Sequence, residues 1–102
     1  MNRLVLAAEV VERGAMRYTP AGLPALDLQL KHQSTVSEDG QPRQVAMQLK
    51  AVVIGAITRP AAALALGVPA QFAGFLAASR NGKGLVFHVT EIAPEATPAA
   101  PV

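Results

Sequence analysis

Pro20-Ala-Gly-Leu-Pro-Ala-Leu-Asp-Leu-Gln-Leu-Lys-His-Gln-Ser34 joins a turn signal to a run of strict alternation. Leu26, Leu28 and Leu30 point one way and Asp27, Gln29 and Lys31 the other, the period of a half-buried strand. Pro20 and Gly22 suit the turn before it, because proline presets φ and glycine accepts positive φ. A strand with one wet face can serve as a binding face. The rest of the chain reads as further strands laid beside this one.

Upstream, residues 3–12 form a strand with Leu4, Leu6, Ala8 and Val10 on one face and Val5, Ala7 and Val11 among the residues on the other. Both faces are apolar. Either a partner subunit covers part of the strand, or the strand curls across a barrel so that its two ends bury different faces. Residues 13–23 form a first loop that sets Arg13, Arg17 and Tyr18 close together, which suits phosphate contact and base stacking. A solvated hairpin loop has the same composition.

Downstream, the polar run 33–42 reads as a flexible hairpin tip turning at Asp39-Gly40. Alternation resumes over 43–54, with Val45, Met47, Leu49, Ala51 and Val53 on the core side and Arg43 or Gln44, Ala46, Gln48 and Lys50 on the wet side. Residues 55–66 favour a short helix with Pro60 in its first turn and Gly67 as its C-cap. Residues 68–79 are extended again: Phe72 and Phe75 fall on opposite faces, and Gly74 marks a bend or bulge. Asn81-Gly82 is a hairpin turn carrying Arg80 and Lys83, and it leads into a last strand over 85–93. The residues from Pro94 to the end, 94–102, read as a disordered tail after a single domain spanning 1–93.

Composition sets the remaining bounds. The 102 residues suffice for one core, and much of the 51% hydrophobic content is alanine, so Leu, Ile, Val, Met and Phe must form that core. A net charge of +2 does not announce a nucleic-acid binder, so the distribution of cations has to decide. The absence of cysteine excludes a disulfide scaffold and a thiolate metal site, and it fits a cytoplasmic setting. The short N-terminal apolar run is broken by Glu9, so neither a signal segment nor a membrane span is expected. Glycine-rich phosphate loops, paired carboxylates and Ser-His-Asp arrangements are lacking, so the chain reads as no enzyme and needs no cofactor. His32 and His88 are too few and too far apart for a metal site, and each reads as a strand residue with a hydrogen bond.

Five strands with a short helix between the third and fourth give an all-β fold, a Greek-key OB-fold barrel whose mid-sheet face and flanking loops bind oligonucleotides. An open five-stranded sheet with one helix packed on it is the other arrangement of this order. At this point the chain resembles the bacterial primosomal replication protein N family. The resemblance rests on Asn2-Arg-Leu-Val-Leu6, Pro20-x-Gly-x-Pro24, Leu30-x-His-x-Ser34, Glu38 with Gly40, Arg43-Gln44, Gly74-Phe75, Asn81-Gly82 and His88, in that order over residues 2 to 92. It implies an OB-fold homodimer, paired partly through the first strand, that binds single-stranded DNA on a basic face. It also implies contacts with the restart helicase and other primosome proteins in DNA replication restart.

The family resembles the general single-strand-binding proteins, whose acidic, phenylalanine-ended tip is not matched by the closing Ala-Pro-Val here. Members that bind DNA well can carry aromatic residues around the third strand, where this chain has Gln41 and Ala46. The expected phosphate contacts are Arg13, Arg17, Lys31, Arg43, Lys50, Arg80 and Lys83. Arg17 takes the family's first-loop basic position, and Arg80 and Lys83 take its lysine-rich hairpin. Tyr18 and Phe75 are the candidate stacking rings. With third-strand aromatics missing, a dimeric interaction adaptor with weak DNA binding stands beside the DNA-binding expectation, and a general single-strand-binding protein is a third.

Overall fold

The strand opened by Pro24 does not stop where its hydrophobic pattern does. In a computed structural model that describes residues 1–94, β3 runs Pro24–Glu38 and pairs with β4, Gln41–Ile54, in an unbroken antiparallel register from Ala25 opposite Ile54 to Glu38 opposite Gln41. The polar run expected to be a flexible tip is therefore mostly strand. Its turn is only Asp39 and Gly40, with φ of 52° and 75°, the two left-handed residues that let a tight hairpin follow the strand twist. Ladder hydrogen bonds satisfy this backbone without any hydrophobic contribution, so a ribbon projects beyond the barrel. For the same reason only Leu49, Ala51 and Val53 of the expected β4 core side pack on the core, while Val45 is half-buried and Met47 exposed.

The other elements are β1 (Leu4–Arg13), β2 (Arg17–Tyr18), α1 (Thr58–Ala63), β5 (Pro69–Ala78) and β6 (Leu85–Pro94). The sheet order is β1-β5-β6-β4-β3-β2, and β1 also pairs with β3, which closes the sheet into a barrel. This is the OB-fold expected, with the helix between the third and fourth long strands. Closure depends on β1 bending. It pairs with β5 through Leu4 to Glu9, then with β3 from Glu9 to Arg13, and its register shifts between Val10 and Glu12. A bulge supplies such a bend by adding a residue on one side of the ladder. Of the two readings of β1, the curled strand is the one observed within this chain, although Val5 and Ala7 still face outward and exposed. The short β2, against Pro24 and Ala25, lies inside the stretch 13–23 expected to be only a loop.

Leu6, Val10, Leu26, Leu28, Leu30, Val53, Phe72, Phe87 and Val89 fill the interior, and Ala61 of α1 joins the same cluster. Thr58, the one buried polar residue among the described core, is satisfied by donating from Oγ1 to the Gly55 carbonyl at 2.7 Å. Pro60 lies in the first turn of α1, where its missing N–H costs nothing. Gly67 is not the cap: α1 ends at Ala63 with an extended Leu64, and the Gly67 N–H instead donates to the Val10 carbonyl at 2.9 Å, tying the connection to β1. The 79–84 connection likewise departs from a two-residue turn. Positive φ falls on Gly82 and Gly84, while the Asn81 side chain accepts from the Lys83 N–H at 2.9 Å, a local bond that holds the longer loop. Apart from Pro94, which ends β6, the tail expected over 94–102 lies outside the described residues.

Gly74 sits where the β5–β6 register shifts, as its sequence context suggests. A Cβ there would lie 1.8 Å from the His88 carbonyl oxygen, a backbone atom that cannot swing aside. Gly74→Ala is expected to lower the unfolding free energy by about 2–3 kcal/mol or prevent folding. Gly14→Ala, whose Cβ would meet nothing closer than 3.6 Å, is expected to change it by less than about 1 kcal/mol. Urea unfolding of the two variants checks the difference.

Candidate nucleic-acid interface

Outward-facing side chains inherit their neighbours from strand register. Asp27 on β3 stands opposite Val52 on β4, Val52 stands beside His88 on β6, and His88 stands opposite Phe75 on β5. The four form one row across four strands. Phe72, one face over, is fully buried, so alternation sends Phe75 to the outer side, where it is 39% exposed. Its ring stacks on His88 with centroids 4.8 Å apart and planes 7° from parallel. His88 thus makes a ring contact where a hydrogen bond was expected. His32 does behave as expected, with Nδ1 2.6 Å from the Ala7 carbonyl and Nε2 2.8 Å from Ser34 Oγ.

Arg17 caps the other end of this row. Its Nε donates to Asp27 Oδ2 and its Nη2 to Asp27 Oδ1, both at 3.0 Å, a side-on two-point pair. Hydrogen bonding to the carboxylate first, and charge attraction second, raise the guanidinium pKa above its ordinary value. A groove of about 520 Å³ runs from this pair along Val52 and His88 to Arg80 and Asn81 in the 79–84 loop. A second hollow of about 420 Å³ contains Lys50 and Gln29 and shares Asp27 and Val86 with the first. The two hollows adjoin at these residues and form a track of neighbouring depressions. Tyr18, 70% exposed on β2, follows directly on Arg17 but does not line the groove that Arg17 and Thr19 border.

Of the cations singled out in the sequence, the structure gathers Arg17, Lys50 and Arg80 along this track, with Lys83 on the same loop as Arg80. The others lie elsewhere. Lys31 stands opposite Glu9 and lines a separate hollow with Ala7, Gln33 and Pro69. Arg43 is on the ribbon, its Nε 2.6 Å from Glu38. Arg13 turns inward: its Nη2 donates to the Leu64 carbonyl just past α1, and its Nε is buried without a partner. Gln41 and Ala46, at the positions without aromatics, are both exposed on the ribbon.

Two participants were missed in the sequence. Asp27 was read only as a wet-face residue and His88 only as a strand residue. The first carried a signal: a hairpin about Pro20–Gly22 sets Arg17 opposite Ala25, which makes Asp27 its diagonal neighbour. His88 meets Val52 and Asp27 only through a parallel pairing that local pattern does not reveal.

The model of a family described as another single-strand binding protein family matches residues 2–91. The replication restart protein PriB of Bordetella pertussis is 51% identical over 81 residues, 79% of this chain and 76% of that protein. A crystal structure of PriB from Ralstonia solanacearum superposes with a TM-score of 0.86 at 36% identity, covering 94% of this chain and 99% of that one. The wild-type single-stranded DNA binding protein from Thermus aquaticus gives a TM-score of 0.72 at 26% identity, covering 96% of this chain and 52% of that one.

Arg13 and Arg80 should separate cleanly in stability. Arg13→Met removes the donor to the Leu64 carbonyl and is expected to cost roughly 1–3 kcal/mol. Arg80→Ala, an exposed loop change, should stay within about 0.5 kcal/mol. Thermal or urea unfolding of both variants measures this.

Proposed function

The chain belongs to the replication restart PriB proteins and to the single-strand binding family that matches it; from that footing we propose that it binds single-stranded DNA along its outer sheet face. The observation that carries this is the pair of adjoining hollows lined by Arg17, Lys50 and Arg80, with His88, itself stacked on Phe75, in the wall of the first. Guanidinium and ammonium groups take phosphates, and a ring face takes a base regardless of its identity. Lys83 extends the charge at the loop tip. Arg13 has no part in this, because the Leu64 carbonyl already holds its guanidinium.

A second copy of the chain completes the unit. Val5 and Ala7 leave an apolar outer face on β1, and a homodimer paired there gives that face its cover. Such a dimer presents two tracks, and it bridges DNA to the restart helicase and other primosome proteins so that the replicative helicase is reloaded at stalled forks. The reading is of a binding module, not a catalyst.

One observation favours a second reading. Gln41 and Ala46 leave the ribbon without rings, and stacking contributes roughly 1–3 kcal/mol per base where rings exist. A dimeric adaptor that retains its protein partners and binds DNA weakly is consistent with that loss.

Labelled oligo-dT in a polarisation titration tests the pair of readings. If Lys50, Arg80 and Lys83 each take a phosphate, the slope of log affinity against log salt should be about −2. Arg80→Ala and Lys50→Ala should each weaken binding roughly threefold to tenfold. Affinity indifferent to salt would sink the DNA-binding reading, and negligible affinity alongside persistent helicase stimulation would favour the adaptor. Light scattering of the free protein should return twice the 10.6 kDa chain mass.

A further inference from the structure

Two carboxylates, Glu12 and Asp27, line the track that the proposed DNA path follows, and Asp27 is locked onto one of its cations. Asp27 holds two donors of Arg17, from Nε and Nη2, both at 3.0 Å. A phosphodiester approaching Arg17 wants the same planar fork, because carboxylate and phosphate both accept two parallel N–H bonds from a guanidinium. We propose that Asp27 is an intramolecular competitor for the phosphate site on Arg17, and that it sets how tightly the outer groove retains single-stranded DNA. This rests on the reading that the groove takes single-stranded DNA.

Three features support competition over a purely architectural ion pair. Both side chains are solvated, 41% exposed for Arg17 and 57% for Asp27, and exposed pairs are weak enough for another anion to displace. The pair lines the same groove as Arg80, so a strand held at Arg80 brings its phosphates past Arg17. Neither fold nor core depends on the carboxylate: the structural bond at this residue is the Asp27 backbone carbonyl accepting from the Gly14 N–H at 2.9 Å. Any side chain preserves that bond.

The consequence is a binding face that under-uses one of its cations. While the carboxylate is seated, Arg17 contributes little net charge to a passing phosphate, and Asp27 repels it. A strand that gains Arg17 must first release Asp27, and Asp27 is positioned to retake the guanidinium when the strand shifts. Dissociation is thereby favoured over retention, as suits a protein that passes DNA to a partner.

The test is a salt series, from about 50 to 200 mM, of polarisation titrations with fluorescein-labelled oligo-dT. It uses the intact wild-type chain, Asp27→Asn, Arg17→Ala, the double variant, and Glu91→Gln as a charge-matched control. Asp27→Ser repeats the measurement with a side chain too short to reach Arg17. Asp27→Asn and Asp27→Ser should tighten binding roughly threefold to thirtyfold at the lowest salt. They should also steepen the salt slope by about 0.7, the value of one added phosphate contact to a single strand. In the Arg17→Ala background the gain should vanish, the coupling expected of two residues that act on one site.

Unchanged or weaker binding by both Asp27 variants overturns the proposal, as does an equal gain from Glu91→Gln or a gain that survives without Arg17. Arg80→Ala and Lys50→Ala, titrated alongside, keep the two readings apart. If they weaken binding while the Asp27 variants change nothing, the groove reading stands and the competition fails. If they do not, the groove reading fails and takes the competition with it.

Discussion

Two register steps between β4 and β6, Ala51 beside Phe87 and Val52 beside His88, hold the outer surface together. They are the parallel contact in an otherwise antiparallel barrel, and parallel neighbours need a long crossover, here α1 followed by β5. Without them the β3–β4 ribbon and the β5–β6 hairpin would still be joined through β1, but the sheet would stay open between β4 and β6. With them, Asp27, Val52, His88 and Phe75 fall into line, and loops from opposite ends of the sequence open on one groove.

The barrel's second closure has a different cost. β1 must satisfy two partners, β5 with its first half and β3 with its second, and the shift between Val10 and Glu12 lets one strand do both. Bending β1 this way keeps Leu6, Ala8 and Val10 in the core while leaving Val5 and Ala7 outside. At the barrel's end, the helix after β4 needs little more than Ala61 and Thr58 to seal the core, and Arg13 reaches across to hold the chain just beyond it. Arg13 and Arg17, four residues apart, therefore serve the fold and the surface respectively.

The surface is economical in rings. Phe72 and Phe87 are consumed by the core, which leaves Phe75, Tyr18 and the imidazole of His88 for the outside. The proposed DNA path, with so few platforms, leans on charge, and charge-based contacts are weakened by salt and by competing anions. Asp27 beside Arg17 is the anion proposed to compete there, supplied by the protein itself.

Alternation by itself determined much of this molecule. Leu26, Leu28 and Leu30 facing in with Asp27, Gln29 and Lys31 facing out, Phe72 opposed to Phe75, the Asp39-Gly40 turn, the irregularity at Gly74 and the five-strand order with one helix were all readable, because they depend on side-chain period and backbone φ. Tertiary structure alone decided which cations share a surface. Arg13 meets a carbonyl 51 residues away, Lys31 and Lys50 part company although both lie on wet strand faces, and His88 joins Asp27's row through a partner strand. The ribbon's length was hidden for a related reason: its order comes from cross-strand hydrogen bonds, which leave no hydrophobic trace in the sequence.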